Sequence, residues 1–423
     1  MVAIAPDRLS LMQLQLPDTI ADPTGFYRRL LDAGPVFDPL VGAWLVSRHA
    51  DVQALLASRS TTVRMDHAGA LDRFPGAGLD EVFAALDLHV SFVDGDCHRR
   101  VRRVLAEPIQ VRQVRTRLAE PVRRAVGAAV DDLAGQPAVD LVGGFAARIP
   151  IDVTRHLLAL PADIDTATVR RWSLAWGDVV AAPGHVPTTG RAATLATAAE
   201  LAAFLRGHVA DRERAPGTAV IDALVASMHR GQISREALVA NLMMLLTAGN
   251  ETTTNLLSAV LMVLADEPAL WAIVRDDPDQ VADVVTELGR LHPPTQYTAR
   301  RLTEPVTLST GETLAAGASV VLMLAAAGRD PLAFPDPGRI LLDRTTDRPD
   351  GRAAHPVTFG YGAHACFGAP LARFEVETAV RELAARTERL RPRPGRAWRH
   401  NANLRGLERL PVQLDLDRTA ATR

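Results

Sequence analysis

Lysine is absent from all 423 residues, so the 47 basic side chains are all arginine. No single site chemistry would forbid lysine everywhere, and the bias reads as the codon usage of a GC-rich genome. The arginines are balanced by 49 acidic residues, leaving a net charge of −2. That balance argues against a nucleic-acid binder, which needs a basic excess. Cysteine is scarce: Cys97 and Cys366 are the whole complement. Two cysteines exclude a disulfide scaffold and fit a reducing cytoplasm. Long uninterrupted apolar runs are missing as well. Asp7 and Arg8 precede any apolar run, so a signal-peptide core is not expected. The most apolar stretch, Leu238 to Leu264, carries Asn250, Glu251, Thr252, Thr253, Thr254 and Asn255 at its middle. A bilayer-spanning helix would not tolerate that block, so a soluble protein without a membrane partner is expected. No internal repeat, low-complexity tail or linker interrupts the chain. With 48% apolar residues it reads as one body over residues 1–423.

What is present is mainly helical periodicity. Helices are expected at Gly25–Ala33, Ala50–Ala57, Arg99–Leu105, Val111–Ala134, Ile151–Ala159, Ala192–Glu213, Ala219–His229, Ser234–Asp266, Pro268–Asp276 and Asp279–Leu291. Ser234 is a plausible N-cap, and Asp266-Glu267-Pro268 ends the longest of them. At about 1.5 Å per residue that helix would span roughly 50 Å, enough to run through the core. Strand signals are few. Val306–Thr310, Gly311-Glu312 and Ser319–Leu324 read as a small hairpin, and Leu410–Leu416 as a short strand. Gly328–Pro356 is rich in Pro, Gly, Asp and Arg, an irregular loop that Phe334, Ile340 and Leu341 should keep packed.

The densest chemical signal is Phe359-Gly360-Tyr361-Gly362-Ala363-His364-Ala365-Cys366-Phe367-Gly368-Ala369-Pro370-Leu371-Ala372-Arg373. Its glycines permit a tight loop whose backbone can approach a flat ligand, and a helix follows. A cysteine just before a helix can be stabilised as thiolate by backbone N–H groups, and a lone thiolate is a haem axial ligand. A buried, inert cysteine is the plainer alternative for one Cys taken alone.

The whole pattern resembles the haem-binding signature of the cytochrome P450 family, Phe-Gly-x-Gly-x-His-x-Cys-x-Gly-x-x-Leu-Ala-Arg, with every specified position matched. The resemblance implies that fold: mainly α with small β-sheets, a long central helix over the haem and a cysteine-ligand loop. It also implies haem b as cofactor, Cys366 as the iron ligand, Phe359 shielding the sulfur, Gly368 among the haem-binding residues, and His364 facing a propionate. Glu287 and Arg290, three apart on one helix face, match the family's Glu-x-x-Arg pair, with Arg339 of Phe334-Pro335-Asp336-Pro337-Gly338-Arg339 as expected third member. On their own they would be a surface ion pair. His98 and Arg102, in Asp94-Gly95-Asp96-Cys97-His98-Arg99-Arg100-Val101-Arg102, match the propionate-binding helix, with a lead-in that departs from the family's usual one. Arg300 is a further propionate candidate, with Arg301 as the alternate.

Inside the long helix, Ala248-Gly249-Asn250-Glu251-Thr252-Thr253 combines a mid-helix glycine, costing about 1 kcal/mol, with β-branched threonines. Such a local cost inside a core helix points to function. The block resembles the family's oxygen-activation motif, in which Ala248 and Gly249 leave room for dioxygen, Thr252 hydrogen-bonds near it and Glu251 relays protons. Back-bonding to i−4 carbonyls would account for Thr253 or Thr254, less well for Glu251.

Together these resemblances imply a cytoplasmic haem-thiolate monooxygenase. One atom of dioxygen would enter a small organic substrate by hydroxylation or epoxidation, with electrons from NAD(P)H through a ferredoxin and ferredoxin reductase. A bacterial secondary metabolite is the expected substrate. Oxidative C–C or C–N coupling and a non-catalytic haem carrier are the alternatives. A Cys366–His364 hydrolase would leave Glu287, Arg290 and Thr252 unexplained. Pocket positions carried over from the family fall on the loop Ala68–Val90, Met244, Thr247, Thr295, Gln296, Asn403 and Leu404.

Overall fold

The computed structural model describes residues 9–64, 84–133, 135–136, 138–181, 191–344 and 354–416. Ser234 accepts the Ala237 amide at 3.1 Å and starts the helix Arg235–Asp266, so the longest element begins where the capping signal places it. Its C-terminus comes at Glu267, after which Pro268 opens the helix Pro268–Asp276 at a bend of 110°. Among the described residues no single helix is long and apolar enough to cross a membrane; that bent pair meets the length and composition test only jointly.

The long helix threads two cores. Its first half, Leu238 to Leu246, packs with Trp172, Trp176 and Leu205. The second half, Leu256 to Ala265, packs against the helices Ala119–Asp131, Val281–Leu291 and Ala369–Arg386. Each fully buried leucine there contributes roughly 1.5–3 kcal/mol, which explains how the helix carries a polar block at its centre.

Three expectations need correction. The continuous helix Val111–Ala134 is broken into Val111–Gln113, a π-turn Val114–Leu118 and Ala119–Asp131, while Ala134 lies outside the described residues. Pro121 has no N–H to give to the preceding turn, and the bulge absorbs the mismatch. A helix at Thr166–Ala181 has no counterpart in the expected set. Asp165 accepts the Thr168 amide at 2.7 Å as its start, but Asp165, Thr166 and Thr168 read locally as loop. Third, Val306–Thr307 pairs with Thr313–Leu314, not with Ser319–Leu322. The chain reverses at Gly311, with φ +87°, and again at Gly317, with φ +81°, so the apolar strand after them is free to pair elsewhere. Ser319–Leu322 sits centrally in a five-stranded sheet ordered Val36–Asp38, Ala43–Val46, Ser319–Leu322, Thr298–Leu302, Thr61–Thr62. Pro411–Leu416 does form a strand, between Val139–Asp140 and Thr387–Pro392.

The Glu287–Arg290 pair is buried, not superficial. Arg290 donates from Nε to Glu287 Oε2 at 2.8 Å and from Nη2 to Oε1 at 2.6 Å, and its side chain is fully buried over the Phe334 ring. The third member is Arg344 and not Arg339. Arg344 donates Nε and Nη2 to Glu287 Oε1 at 3.0 and 2.9 Å. Arg339 leaves its side chain 72% exposed beside Asp336 and contributes its carbonyl, which accepts from Arg344 at 2.9 Å and from Arg290 at 3.2 Å. The proline-rich turn points the Arg339 side chain outward and brings Arg344 back, so network and irregular loop are one unit.

Candidate active site

The cysteine loop is closed by its own backbone and by a neighbouring helix. Cys366 donates its amide to the Phe359 carbonyl at 2.7 Å. Gly362, at φ +72°, lies so close to the helix His49–Ala57 that a Cβ there would stand 2.7 Å from the Leu56 carbonyl oxygen. Only glycine satisfies both conditions. Gly368 passes beside the sulfur, 3.7 Å from where its Cβ would be. Burial pushes the Cys366 thiol up, while the amides of Gly368 and Ala369 and the Arg102 guanidinium favour the thiolate. Phe359 is half-buried, with Arg373 5.0 Å over its ring.

Four candidate carboxylate-binding side chains converge beside this loop. The His98 and His364 rings lie 4.0 Å apart, and Arg102 sits 5.5 Å from the Phe367 ring. Strand alternation in Thr298–Leu302 decides between Arg300 and Arg301: the first is buried, the second exposed. Arg300 donates to Thr298 Oγ1 at 3.1 Å and to the Ala299 carbonyl at 2.7 Å. His364 places Nε2 3.1 Å from Asp94 Oδ1, so its described partner is a protein carboxylate. Asp94 also accepts the Thr62 hydroxyl at 2.6 Å and the Val63 amide at 3.1 Å. The unusual lead-in to the helix Gly95–Ala106 is therefore anchored.

Burial pushes His98 down to about 4, with His364 and Arg102 adding to it, and it lowers Arg300 to about 10. At neutral pH the cluster thus holds two guanidiniums, one carboxylate and neutral imidazoles. His98 Nε2 is buried without a partner among the described residues. Two cations against one carboxylate, with an orphaned ring nitrogen beside a cysteine sulfur, fit a haem whose two propionates need donors.

On the long helix, Ala248 and Gly249 are exposed although residues before and after them are buried. The helix is therefore open at the expected motif. Thr252 donates to the Ala248 carbonyl at 2.6 Å, the i−4 bond expected for its neighbours, and it is half-buried on the open side. Glu251 is buried and ion-paired with Arg399. Burial raises the Asp178 pKa, and Glu251 adds to the rise. Asn250 is braced by Thr154 at 2.8 Å and Ser173 at 3.0 Å.

Arg399 was not legible as a partner, since 148 residues separate it from Glu251 with no periodicity between them. Asn241 was missed too. It accepts the Val90 amide at 2.9 Å and donates to the Leu88 carbonyl at 2.8 Å, fixing the end of the loop Ala68–Val90, of which 68–83 lie outside the described residues. A buried asparagine in an apolar run was its only signal.

The pocket expectations divide. Met244 and Thr247 are buried on the long helix, and Thr247 Oγ1 has no partner among the described residues. Thr295 and Leu404 form an isolated bridge that brings their segments together. Gln296 is corrected: it accepts from Tyr27 and donates to the Ala402 carbonyl at 2.7 Å, so its amide is occupied in structural bonds. Asn403 likewise donates its side chain to the Tyr297 carbonyl at 2.7 Å.

A family profile described as Cytochrome P450 matches residues 199–384. Over 419 residues, 96% of this chain and 94% of the relative, the sequence is 32% identical to cytochrome P450 monooxygenase PikC of Streptomyces venezuelae. Mycinamicin IV hydroxylase/epoxidase of Micromonospora griseorubida is 34% identical over 405 residues, 92% and 94% of the two chains. Among solved structures, ligand-free CYP164A2 of Mycobacterium smegmatis superposes with a TM-score of 0.82 at 28% identity, covering 95% of this chain and 99% of that one.

Proposed function

The chain belongs to the cytochrome P450 family of haem b monooxygenases, and from that premise we propose that it hydroxylates or epoxidises a bacterial secondary metabolite of medium size. Residues 1–423 act as one catalytic unit in a reducing cytoplasm. A ferredoxin and its reductase deliver electrons from NAD(P)H. Mycinamicin IV hydroxylase/epoxidase carries both reactions in its name, which supports this class of chemistry. The observation that carries the reading is the Cys366 loop, with its sulfur against the Gly368 and Ala369 amides and beside Arg102.

Cys366 would ligate the iron as thiolate. Arg102, Arg300 and His98 would hold the propionates, with His364 bridging from Asp94. Haem b, when bound, supplies the reductive activation of dioxygen by which one oxygen atom enters the substrate and the other leaves as water. The protein's part is to admit oxygen and meter protons. Ala248 and Gly249 leave the helix face open without bulk. Thr252 Oγ1 gives its one hydrogen to the Ala248 carbonyl in the resting fold, which leaves its lone pairs to accept a hydrogen bond at the open face, and rotation of the hydroxyl away from Ala248 would free that hydrogen for a relay. The Glu251 carboxylate, held by Arg399, places an acid group beside Thr252 in a wall that also carries Asn250, Thr253 and Thr254.

Coupling tests this assignment. Thr252→Ala should keep haem spectrum and substrate binding while a larger share of NAD(P)H consumption appears as hydrogen peroxide. Glu251→Gln should slow turnover with a solvent isotope effect. Product, NAD(P)H and peroxide measured together decide it, and unchanged coupling and rate in both variants would overturn the proton roles.

A further inference from the structure

A second cavity, of about 180 Å3, lies where the N-terminal segment Ala21–Thr24, the chain following the helix Val281–Leu291 and the C-terminal segment Arg396–Arg405 meet. Met262 lines it, fourteen residues past Ala248 on the long helix, or about 21 Å along the axis. It is therefore remote from the open face at Ala248.

The cavity is built around arginine. Arg405 lies 3.7 Å over the Trp398 ring, gives its backbone amide to the Pro294 carbonyl at 2.8 Å and donates Nη2 to the Ala21 carbonyl at 3.0 Å. Arg329 donates Nη2 to the Leu291 carbonyl at 2.9 Å. In both residues Nε is buried without a hydrogen-bond partner, and neither has an ion-pair partner among the described residues. A third arginine, Arg396, is already compensated by Asp266 at 2.6 Å.

The electrostatics are unbalanced. Burial lowers the pKa of both Arg329 and Arg405, with Arg290 adding to it at Arg329 and Arg329 at Arg405, the latter reaching about 10, so both remain cations at neutral pH. Burial also pushes the lining His292 down to about 3, which leaves it neutral. Among the described residues the one carboxylate in their field is Asp22, exposed at the rim and occupied by the Thr24 amide at 3.0 Å and by the Thr24 hydroxyl. Two guanidiniums against one carboxylate leave a net positive charge in a partly enclosed site. Uncompensated buried charge is costly, and an unmade hydrogen bond at each Nε adds to the cost. A planar or tetrahedral oxyanion accepts from guanidinium N–H groups in the geometry they offer. The volume holds a group of phosphate size with water beside it.

We propose that this cavity is a binding site for a small oxyanion, a phosphate or carboxylate group, gripped by Arg329 and Arg405. It is independent of the oxygen chemistry and of the haem.

Isothermal titration of the haem-loaded protein with inorganic phosphate, at constant ionic strength in chloride, tests it. One saturable site is expected, weakened at least tenfold in Arg329→Gln and in Arg405→Gln. Titration with acetate separates the two chemistries: competition shows a general oxyanion site, and its absence a phosphate site. Asp22→Asn should tighten phosphate binding by removing the opposing charge. If the arginines serve only to neutralise Asp22, that variant lowers the melting temperature and leaves phosphate unbound. Should Arg405→Gln fail to load haem, Arg329→Gln decides alone. No saturable phosphate binding in the wild type, or equal binding in the arginine variants, overturns the proposal.

Discussion

At the scale of single residues, the neighbouring arginines 300 and 301 separate a motif match from a position. Both are possible in sequence, and the two-residue period of a strand resolves them once its register is known. Arg300→Ala should weaken haem retention without abolishing it, because Arg102 and His98 remain. Arg301→Ala should retain haem like the wild type. Haem content after gel filtration checks this, and the reverse result would move the propionate contact to Arg301. A different residue sets a pH dependence. Glu375 is buried in the helix Ala369–Arg386 with Oε2 unpartnered, and burial pushes its carboxyl from near 4.5 up to about 8. The folded state therefore keeps a proton that the unfolded chain has lost. The stabilisation is fully present below pH 4.5 and is lost as pH rises toward 8, at no more than about 1.4 kcal/mol per pH unit. Denaturant unfolding at pH 5 and pH 8 should show a smaller difference in Glu375→Gln than in the wild type. An identical difference in the two proteins would mean that Glu375 titrates normally.

Among elements, the buried network separates what was legible from what was not. Glu287 and Arg290 are one helical turn apart, so spacing alone paired them. Arg344 reaches Glu287 across 57 residues of chain, through an irregular loop whose path no periodicity encodes. Arg339 was named from its place after the proline-rich turn, and it does join the network, but through its carbonyl. The difference is measurable. Arg344→Ala should cost about 1.5–3 kcal/mol, since Glu287 loses its charged hydrogen bonds from Arg344 while Arg290 still compensates it. Arg339→Ala should stay within about 0.5 kcal/mol, because its backbone bonds survive. Chemical denaturation of the two variants tests this, and equal losses would contradict the assignment. The longest helix was read well for a related reason: the cap at Ser234 and the stop at Pro268 are local signals. The helix at Thr166–Ala181 and the sheet order depend on tertiary partners. Only the packing of Trp172 and Trp176 against Leu205 and Leu242, and of the neighbouring strands against Ser319–Leu322, reveals them.

On the scale of the whole molecule, the cysteine loop, the cationic cluster beside it and the opened face of the long helix belong to elements scattered from Asp94 to Arg399. The motif residues could be named one by one because their local spacing is strict. Their convergence, and the partners Arg399, Asn241 and Arg344, arise only from folding. The central claim is that Cys366 binds haem iron as thiolate in this assembly. The most direct test is the absorption spectrum of the purified, reduced protein under carbon monoxide. The wild type and Cys97→Ala should both give the strongly red-shifted ferrous–CO band, and Cys366→His should lose it while still binding haem through the arginine and histidine cluster. Retention of that band in Cys366→His, or its loss in Cys97→Ala, would contradict the account.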